Sequence, residues 1–138
     1  MKITDRAITQ DELQMIYDDF TKIELRDGIP QTPVERYQFT AEENGTVKGF
    51  VSGLTEHKWF YLSDLWVAEA YRGHGLGTEL LCRMEEKAKA VGMTQIYTWT
   101  TGPRNMRFYE KCGYQRFVVF EDFCEVPGYH RVGYKKDL

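Results

Sequence analysis

Two long stretches of the chain place apolar residues at helical spacing. In the first, Thr9 followed three residues later by Glu12 is a capping box. This motif predicts a helix that runs to about Arg26 and is closed by Gly28. The apolar residues expected to face inward are Leu13, Ile16, Tyr17, Phe20 and Ile23.

The second helical pattern predicts an amphipathic helix that ends near Gly92, a residue type suited to a C-terminal cap. Its inward face consists of Leu76, Leu80, Leu81, Met84, Ala88 and Val91. A third, shorter helix is predicted from Pro103, which suits a first helical turn, to Cys112, with Gly113 as its stop.

Seven segments are rich in β-branched and aromatic residues or alternate in polarity, and each is predicted to be a strand. They are residues 2–8, 37–43, 46–54, 59–67, 95–100, 115–123 and 129–135. Asn44-Gly45 is a type I′ turn signal between the second and third. The order predicts a mixed α/β fold with early antiparallel strands and a β-α-β crossover. Because no linker or repeat interrupts the pattern, a single domain over residues 1–138 is expected.

The composition excludes several classes of protein. A chain of 138 residues with a formal net charge of −3 gives no reason to expect binding to nucleic acid or a membrane surface. The N-terminus lacks the apolar run of a signal peptide, and no apolar stretch approaches membrane-spanning length. The three cysteines, Cys82, Cys112 and Cys124, are odd in number and unpatterned, which predicts reduced thiols and a cytoplasmic location. No metal site is expected.

A glycine-rich turn joins the strand at 59–67 to the second helix. The run from Arg72 to Gly77 places three glycines at alternate positions, so unpaired amides and the positive end of a helix dipole converge where an anion could bind. A Walker-type loop is absent. A dinucleotide fingerprint fails because residue 78 is Thr and no acid stands near Tyr97. A nucleotide-binding protein is therefore disfavoured.

The string Arg-x-x-Gly-x-Gly at Arg72, Gly75 and Gly77 resembles the loop of the GNAT superfamily of acyl-CoA-dependent N-acetyltransferases. The segment Phe108-Tyr109-Glu110-Lys111-Cys112-Gly113-Tyr114 is similar to that family's second signature. With the preceding hairpin, the resemblance covers roughly residues 37 to 136. It implies a central mixed β-sheet flanked by helices, with acetyl-CoA as co-substrate.

The resemblance also implies which residues bind the cofactor. Backbone amides between Arg72 and Thr78 would hold the diphosphate of coenzyme A, and the amide of Leu65, on a bulged and splayed strand, would face the thioester oxygen. His74 occupies a variable slot of the loop, so a solvated side chain is the competing interpretation. The full predicted set is Leu65, Trp66, Val67, Arg72, Gly73, His74, Gly75, Leu76, Gly77, Thr78, Asn105, Phe108 and Tyr109.

Two side chains are predicted to be catalytic. By resemblance, Tyr109 is the general acid that protonates the departing thiolate. Asp64 is the candidate base that neutralises the amine, although the family pattern places this acid one position earlier, at Ser63, and a structural hydrogen-bond role is the alternative. Other acceptor-site candidates on the last hairpin are Glu121, Asp122 and His130.

One position departs from the family pattern. An Asn often stands seven residues before the tyrosine and contacts the pantetheine arm, whereas this chain has Gly102 there. Thr100, Thr101, Arg104 or Asn105 would have to substitute for it.

The expected function is transfer of an acetyl group to a primary amine by direct attack. The acceptor is open between a small molecule and a peptide amine, and a homodimer is possible. Trp59, Tyr97, Trp99 and Phe120 could line an acceptor pocket, although aromatic residues at strand spacing usually belong to the core. The alternative function is a catalytically silent module that binds acyl-CoA as a sensor or assembly part.

Overall fold

The computed structural model describes all 138 residues, which form two compact units, Met1–Thr32 and Pro33–Leu138. The elements in chain order are α1 (Gln10–Arg26), β1 (Arg36–Glu43), β2 (Thr46–Glu56), β3 (Trp59–Val67), α2 (Leu76–Ala90), β4 (Gln95–Thr101), α3 (Pro103–Lys111), β5 (Gln115–Phe120) and β6 (Arg131–Asp137). A short 3₁₀ turn, Glu69–Tyr71, lies between β3 and α2. The expectation of a single domain stays a prediction.

The first unit consists of α1 and its flanking segments. The predicted capping box is present, since the Glu12 amide donates to Thr9 Oγ1 at 3.2 Å and the Thr9 amide donates to Glu12 Oε2 at 2.9 Å. Arg6 also pairs with the Glu12 carboxylate at 2.9 Å, and the two contacts lower the pKa of Glu12 to about 2. Gly28, at φ +77°, follows the helix end. The predicted helix is confirmed.

Two predictions for this unit are wrong. Residues 2–8 form no strand, because nothing in the unit offers a strand edge to pair with. The apolar side of α1 is not buried either: Tyr17 and Phe20 are each 54 % exposed and Ile23 is 42 % exposed, whereas Leu13 and Ile16 are half-buried. The helix has the predicted amphipathic pattern, but a unit that contains only one helix has no second element against which to bury it.

The second unit is built on a six-stranded sheet in the order β1-β2-β3-β4-β6-β5. β3 and β4 are parallel and joined through α2, whereas every other neighbouring pair is antiparallel. At the tip of the first hairpin, Asn44 and Gly45 both have positive φ, 51° and 74°, as a type I′ turn requires. The predicted hairpin and the predicted β-α-β crossover are therefore confirmed.

The hydrophobic core of this unit lies between the sheet and the inner faces of α2 and α3. α2 supplies Leu80, Leu81, Met84 and Ala88, α3 supplies Met106 and Tyr109, and the sheet supplies Val51, Phe60, Leu62, Ile96, Val132 and Tyr134. Each large side chain that leaves water in this way contributes about 2 kcal/mol. The core fixes the positions of both helices. It thereby also fixes the glycine-rich turn that precedes α2 and Tyr109 on α3.

The last hairpin differs from its predicted boundaries. β5 ends at Phe120 rather than residue 123, and β6 begins at Arg131 rather than residue 129. The chain turns at Asp122, which has φ +48° and whose amide donates to His130 Nδ1 at 3.0 Å. The apolar residues after Phe120 have strand character in sequence, but this polar turn removes them from the ladder.

Candidate active site

The parallel strands β3 and β4 separate partway along their length. Backbone pairing links only Trp59 to Gln95, Phe60 to Ile96 and Tyr61 to Tyr97. Beyond these positions one side-chain contact bridges the strands: the buried Thr98 hydroxyl donates to the Leu62 carbonyl at 2.8 Å. The rest of β3 therefore has no partner on its β4 side, and a gap opens through the sheet.

A β-bulge in β3 changes which side chains face the gap. Ser52 of β2 is opposite Asp64 and Gly53 is opposite Leu62, so Ser63 is one extra residue. Leu62 is buried before the bulge, and Leu65 packs against the core after it, at a spacing of three instead of two. The bulge thereby places Asp64 on the sheet face opposite the core.

The Asp64 carboxylate is held by a short polar network. The Ser63 hydroxyl donates to Asp64 Oδ2 at 2.8 Å. Arg36 Nη1 in turn donates to the hydroxyl oxygens of Ser63 at 2.9 Å and Ser52 at 2.7 Å. An exposed carboxylate therefore lies one hydroxyl away from a guanidinium group, which fixes its orientation without neutralising it in a direct ion pair.

The glycine-rich turn presents a row of free backbone donors. α2 begins at Leu76, and the six consecutive amides from Gly73 to Thr78 donate no hydrogen bond within the protein. Gly73 and Gly75 have φ of +77° and +89°, and a Cβ on either would point into open space. Arg72 Nε donates to the Val67 carbonyl at 2.9 Å, which leaves its terminal nitrogens free. This arrangement suits a phosphate group.

Tyr109 lies at the core end of the gap and is 7 % exposed. Its ring stacks on Tyr134 with a centroid distance of 5.8 Å and meets the rings of Phe108 and Tyr114 edge-on at 5.1 and 5.4 Å. Burial raises the pKa of the Tyr109 phenol to about 12, opposed by a hydrogen bond with Thr98. The phenol is therefore protonated throughout the neutral range.

One cleft of about 1,110 Å³ connects these features. Thr98 and Tyr109 line it from the core side of the sheet, whereas Asp64, Trp66 and Trp99 line it from the opposite side. The other residues predicted from the sequence that line it are Leu65, Val67, Arg72, Gly73, Gly75, Gly77, Thr78, Asn105 and Phe108. Because the strands have separated, a group bound from one face of the sheet can reach a group bound from the other.

Two predicted residues do not present their side chains to the cleft. Leu76 packs against the core, where it is 3.1 Å from the position of a Cβ on Gly49. His74 is exposed outside the cleft lining. Only the backbone amides of these two residues belong to the row of free donors, which agrees with the competing interpretation of His74 as a solvated side chain.

The candidates on the last hairpin do not join the cleft. Asp122 Oδ1 accepts from the Gly128 amide at 2.9 Å, and His130 accepts from the Asp122 amide, so both hold the connection between β5 and β6. Glu121 is exposed in the same connection. These contacts are structural, and the acceptor-site roles considered for the three residues are not supported by their positions.

The structure explains the glycine at position 102. Gly102 has φ +92°, a region that side-chain residues rarely adopt, and a Cβ there would lie 3.1 Å from the Tyr129 ring. Of the predicted substitutes, Thr100, Arg104 and Asn105 line the cleft, and Asn105 Nδ2 also donates to the Thr101 carbonyl at 3.0 Å.

Five cleft residues were not expected from the sequence: Phe50, Tyr71, Thr98, Arg107 and Lys111. The last two had a detectable signal, since Arg104, Arg107 and Lys111 share one helical face with Phe108. Thr98 had no detectable signal in the sequence, because its contact with the Leu62 carbonyl depends on where β3 and β4 separate. The aromatic candidates Trp59 and Tyr97 lie outside the cleft, where their rings meet edge-on at 5.9 Å.

The family relationship follows from comparison with known proteins. The model of the acetyltransferase (GNAT) family matches residues 6–114, and the chain belongs to this family. Its sequence is 35 % identical over 74 residues to the acetyltransferase Atu2258 of Agrobacterium fabrum, covering 54 % of each chain. It is 30 % identical over 96 residues to a blasticidin-S acetyltransferase of Streptomyces morookaense, covering 66 % of this chain and 68 % of that one. The chain thus spans about half the length of the first of these relatives.

Solved structures support the same fold. An acetyltransferase from Bacillus cereus ATCC 14579 superposes with a TM-score of 0.84 at 26 % identity, covering 99 % of this chain and 98 % of that one. A Bacillus subtilis acetyltransferase in complex with CoA has a TM-score of 0.65 at 20 % identity, covering 96 % and 95 % of the two chains. The predicted family and fold class are confirmed. None of the helices has the length and apolar character needed to cross a bilayer.

Proposed function

We propose that this chain is an acetyl-CoA-dependent N-acetyltransferase that acetylates a primary amine by direct attack. The observation that carries the proposal is the single cleft through the split sheet, which brings the free amides, the buried phenol and the exposed carboxylate together. Family membership and the solved complex of the Bacillus subtilis relative with CoA support the choice of cofactor. The blasticidin-S acetyltransferase supports a small-molecule amine as acceptor, and a peptide amine is the other candidate.

The residues present fit coenzyme A. The free amides from Gly73 to Thr78 and the terminal nitrogens of Arg72 would hold its diphosphate, because fixed donors at a helix N-terminus need no reorganisation to bind an anion. Bound acetyl-CoA would supply a thioester, an activated acyl group. Phe108 beside Gly77, and Leu65, Trp66, Val67 and Asn105 along the gap, are the residues proposed to contact the rest of the cofactor.

Leu65 is proposed to polarise the acyl carbonyl through its backbone amide. The Leu62 carbonyl faces Thr98 of β4. Strand groups alternate in direction, and the bulge adds one residue, so the next group directed at the same side belongs to Leu65. An amide aimed into a gap with no partner strand can stabilise a developing oxyanion.

Tyr109 is proposed to be the general acid. A phenol with a pKa of about 12 keeps its proton until a stronger base forms beside it. Transfer to a thiolate whose conjugate acid has a pKa of about 8.5 is uphill by about 5 kcal/mol. The proton must therefore move as the carbon–sulfur bond breaks, and the phenol acts by being close and correctly oriented rather than by being acidic.

Asp64 is proposed to be the base. An alkylamine with a pKa of about 10.4 costs about 4.6 kcal/mol to deprotonate at pH 7, so a carboxylate at the acceptor side of the gap would lower the barrier. The contact from Ser63 fixes the carboxylate toward the cleft. The predictions of a cytoplasmic location and a homodimer accompany this proposal and stay predictions.

The test is release of CoA thiol from acetyl-CoA with a panel of primary amines. We expect Tyr109→Phe and Asp64→Asn each to lower kcat by about 100-fold, the scale of one general acid or base. Tyr129→Phe, which removes an exposed hydroxyl outside the cleft, is the control and should leave kcat unchanged. Calorimetric binding of acetyl-CoA with no thiol release across the panel would favour the silent acyl-CoA-binding module instead.

A further inference from the structure

The cleft-facing side of α3 carries three cations. Arg104, Arg107 and Lys111 occur at helical positions i, i+3 and i+7, and all three line the cleft together with Phe108. None of them forms a salt bridge or a side-chain hydrogen bond. The only acid of this helix, Glu110, points elsewhere and pairs with Arg116 at 2.9 Å. The helix has thus separated its charges, with the unpaired cations on the cleft side.

Two features of this arrangement are unfavourable for the helix by itself, although Lys111 in the last turn complements the helix dipole. Arg107 and Lys111 are one turn apart, a spacing at which like charges repel each other and weaken a helix. Arg104 lies in a first turn that contains no acid, where a cation opposes the helix dipole. An anion bound in the cleft would relieve both effects. Asp64 is the only acid among the cleft-lining residues, so the α3 side has no internal anion of its own.

If the proposed function holds, the ligand of this cleft brings three phosphoryl groups. Two are linked as the diphosphate, for which the free amides and Arg72 already provide donors. The third is a separate monoester on the ribose, with a charge of nearly −2 at neutral pH. Phe108 lies beside Gly77 at the start of α2, so Arg107 and Lys111 flank the position where the diphosphate would end.

We propose that Arg107 and Lys111 bind the 3′-phosphate of coenzyme A, so that the cleft distinguishes coenzyme A from its 3′-dephospho form. Side chains four residues apart on a helix have Cβ atoms about 5–6 Å apart, so both head groups can reach one phosphate. Arg107 supplies a planar fork that can bind two phosphate oxygens, and Lys111 adds a compact charge. This inference rests on the proposed function.

The test is calorimetric titration of the whole chain with CoA and with 3′-dephospho-CoA. We expect the wild type to bind CoA at least about tenfold more tightly, which is the effect of one charge-assisted phosphate contact. In the double variant Arg107→Ala/Lys111→Ala the ratio should fall to within about threefold, through loss of CoA affinity alone. The matched control Lys22→Ala/Arg26→Ala removes one lysine and one arginine that are also exposed and four residues apart on a helix, but lie outside the cleft lining, and it should keep the wild-type ratio.

The outcomes separate the two proposals. Equal affinity of the wild type for both ligands, or an unchanged ratio in the double variant, would overturn the 3′-phosphate site and leave the proposed function standing. If neither CoA nor 3′-dephospho-CoA binds, the proposed function itself is overturned. Both targeted side chains are exposed, so we expect the double variant to fold, which circular dichroism checks. Lys111→Arg, which keeps the charge, should retain the preference.

Discussion

Tyr109 shows how burial sets the role of a single residue. Because the phenol is enclosed by Phe108, Tyr114 and Tyr134, ionisation would place a charge in an apolar site, and the pKa rises to about 12. The same burial that makes the phenol a poor acid in equilibrium terms also keeps it protonated at neutral pH. In the proposed function, its position next to the gap between β3 and β4 would bring that proton close to the departing thiolate.

The raised pKa predicts how stability depends on pH. An unfolded tyrosine ionises near pH 10, whereas folded Tyr109 holds its proton to about 12, so its contribution is fully present below pH 10 and is lost as pH rises toward 12. Relative to Tyr109→Phe, the wild type should lose about 1 kcal/mol of unfolding free energy between pH 9 and pH 11. Urea unfolding of both proteins over this range measures it. A constant difference would mean that the folded phenol ionises normally.

Gly53 gives a steric prediction at the bulge. A Cβ at this position would lie 2.1 Å from the fully buried ring of Phe60 and 2.8 Å from the Tyr61 carbonyl, so neither neighbour can move aside at low cost. We expect Gly53→Ala to lower the free energy of unfolding by about 2–3 kcal/mol. The control is Gly77→Ala, where a Cβ would make ordinary contacts at 3.5 Å and the helix should gain stability. Similar unfolding midpoints for the two variants would contradict the prediction.

The separation of β3 from β4 is the decisive feature at the scale of elements. Three backbone-paired positions hold the strands together, and then only the Thr98 hydroxyl continues the connection through the Leu62 carbonyl. A parallel pair that ends early normally exposes unpaired amides to water. Here it gives a strand edge inside the molecule, which an extended ligand can use.

Thr98→Val tests this bridge. The substitution keeps the side-chain shape but leaves a buried carbonyl without its donor, so we expect a loss of about 1–2 kcal/mol in the free energy of unfolding. Thr40→Val, at an exposed position on β1, is the control and should have little effect. Urea unfolding measures stability, and a loss in Thr98→Val no greater than in the control would show that the hydroxyl does not hold the strands.

Much of this architecture was predictable because it depends on local signals. The spacing of apolar residues and the capping residues predicted α1, α2 and α3, and Asn44-Gly45 predicted the turn of the first hairpin. The strand expected at residues 2–8 and the overlong β5 were wrong because strand formation needs a partner edge, which no local pattern reveals. The burial of one face of α1 was wrong for the same reason.

For the candidate site, too, the residues that could be predicted are those that a local motif identifies. The glycine-rich turn and Tyr109 could be found because a motif fixes their positions in sequence. The network of Arg36, Ser52 and Ser63 around Asp64 could not, because it depends on strand register and on one extra residue in β3. Register decides which side chains meet, and it is set by the packing of the whole sheet.

At the scale of the whole molecule, overall charge and local charge oppose each other. The formal net charge is −3, which by itself would repel a ligand with several phosphates. The cleft instead contains Arg72, Arg104, Arg107 and Lys111 against a single acid, Asp64. A concave surface lined by one sign of charge focuses the field, so the local potential governs the approach of an anion.

The salt dependence of CoA binding tests whether the cations of the cleft or the net negative charge of the chain governs binding. If the cleft cations govern binding, raising NaCl from about 50 to about 500 mM shortens the Debye length from more than about 10 Å to about 4 Å and should weaken CoA binding by about tenfold. The association rate should fall more than the dissociation rate rises, which stopped-flow kinetics can measure. Arg107→Ala/Lys111→Ala should show a shallower dependence, and Lys22→Ala/Arg26→Ala, which removes two cations outside the cleft lining, should keep the wild-type slope. If binding strengthens with salt, the net negative charge of the chain controls the encounter. That result would contradict the view that the cleft cations attract the ligand.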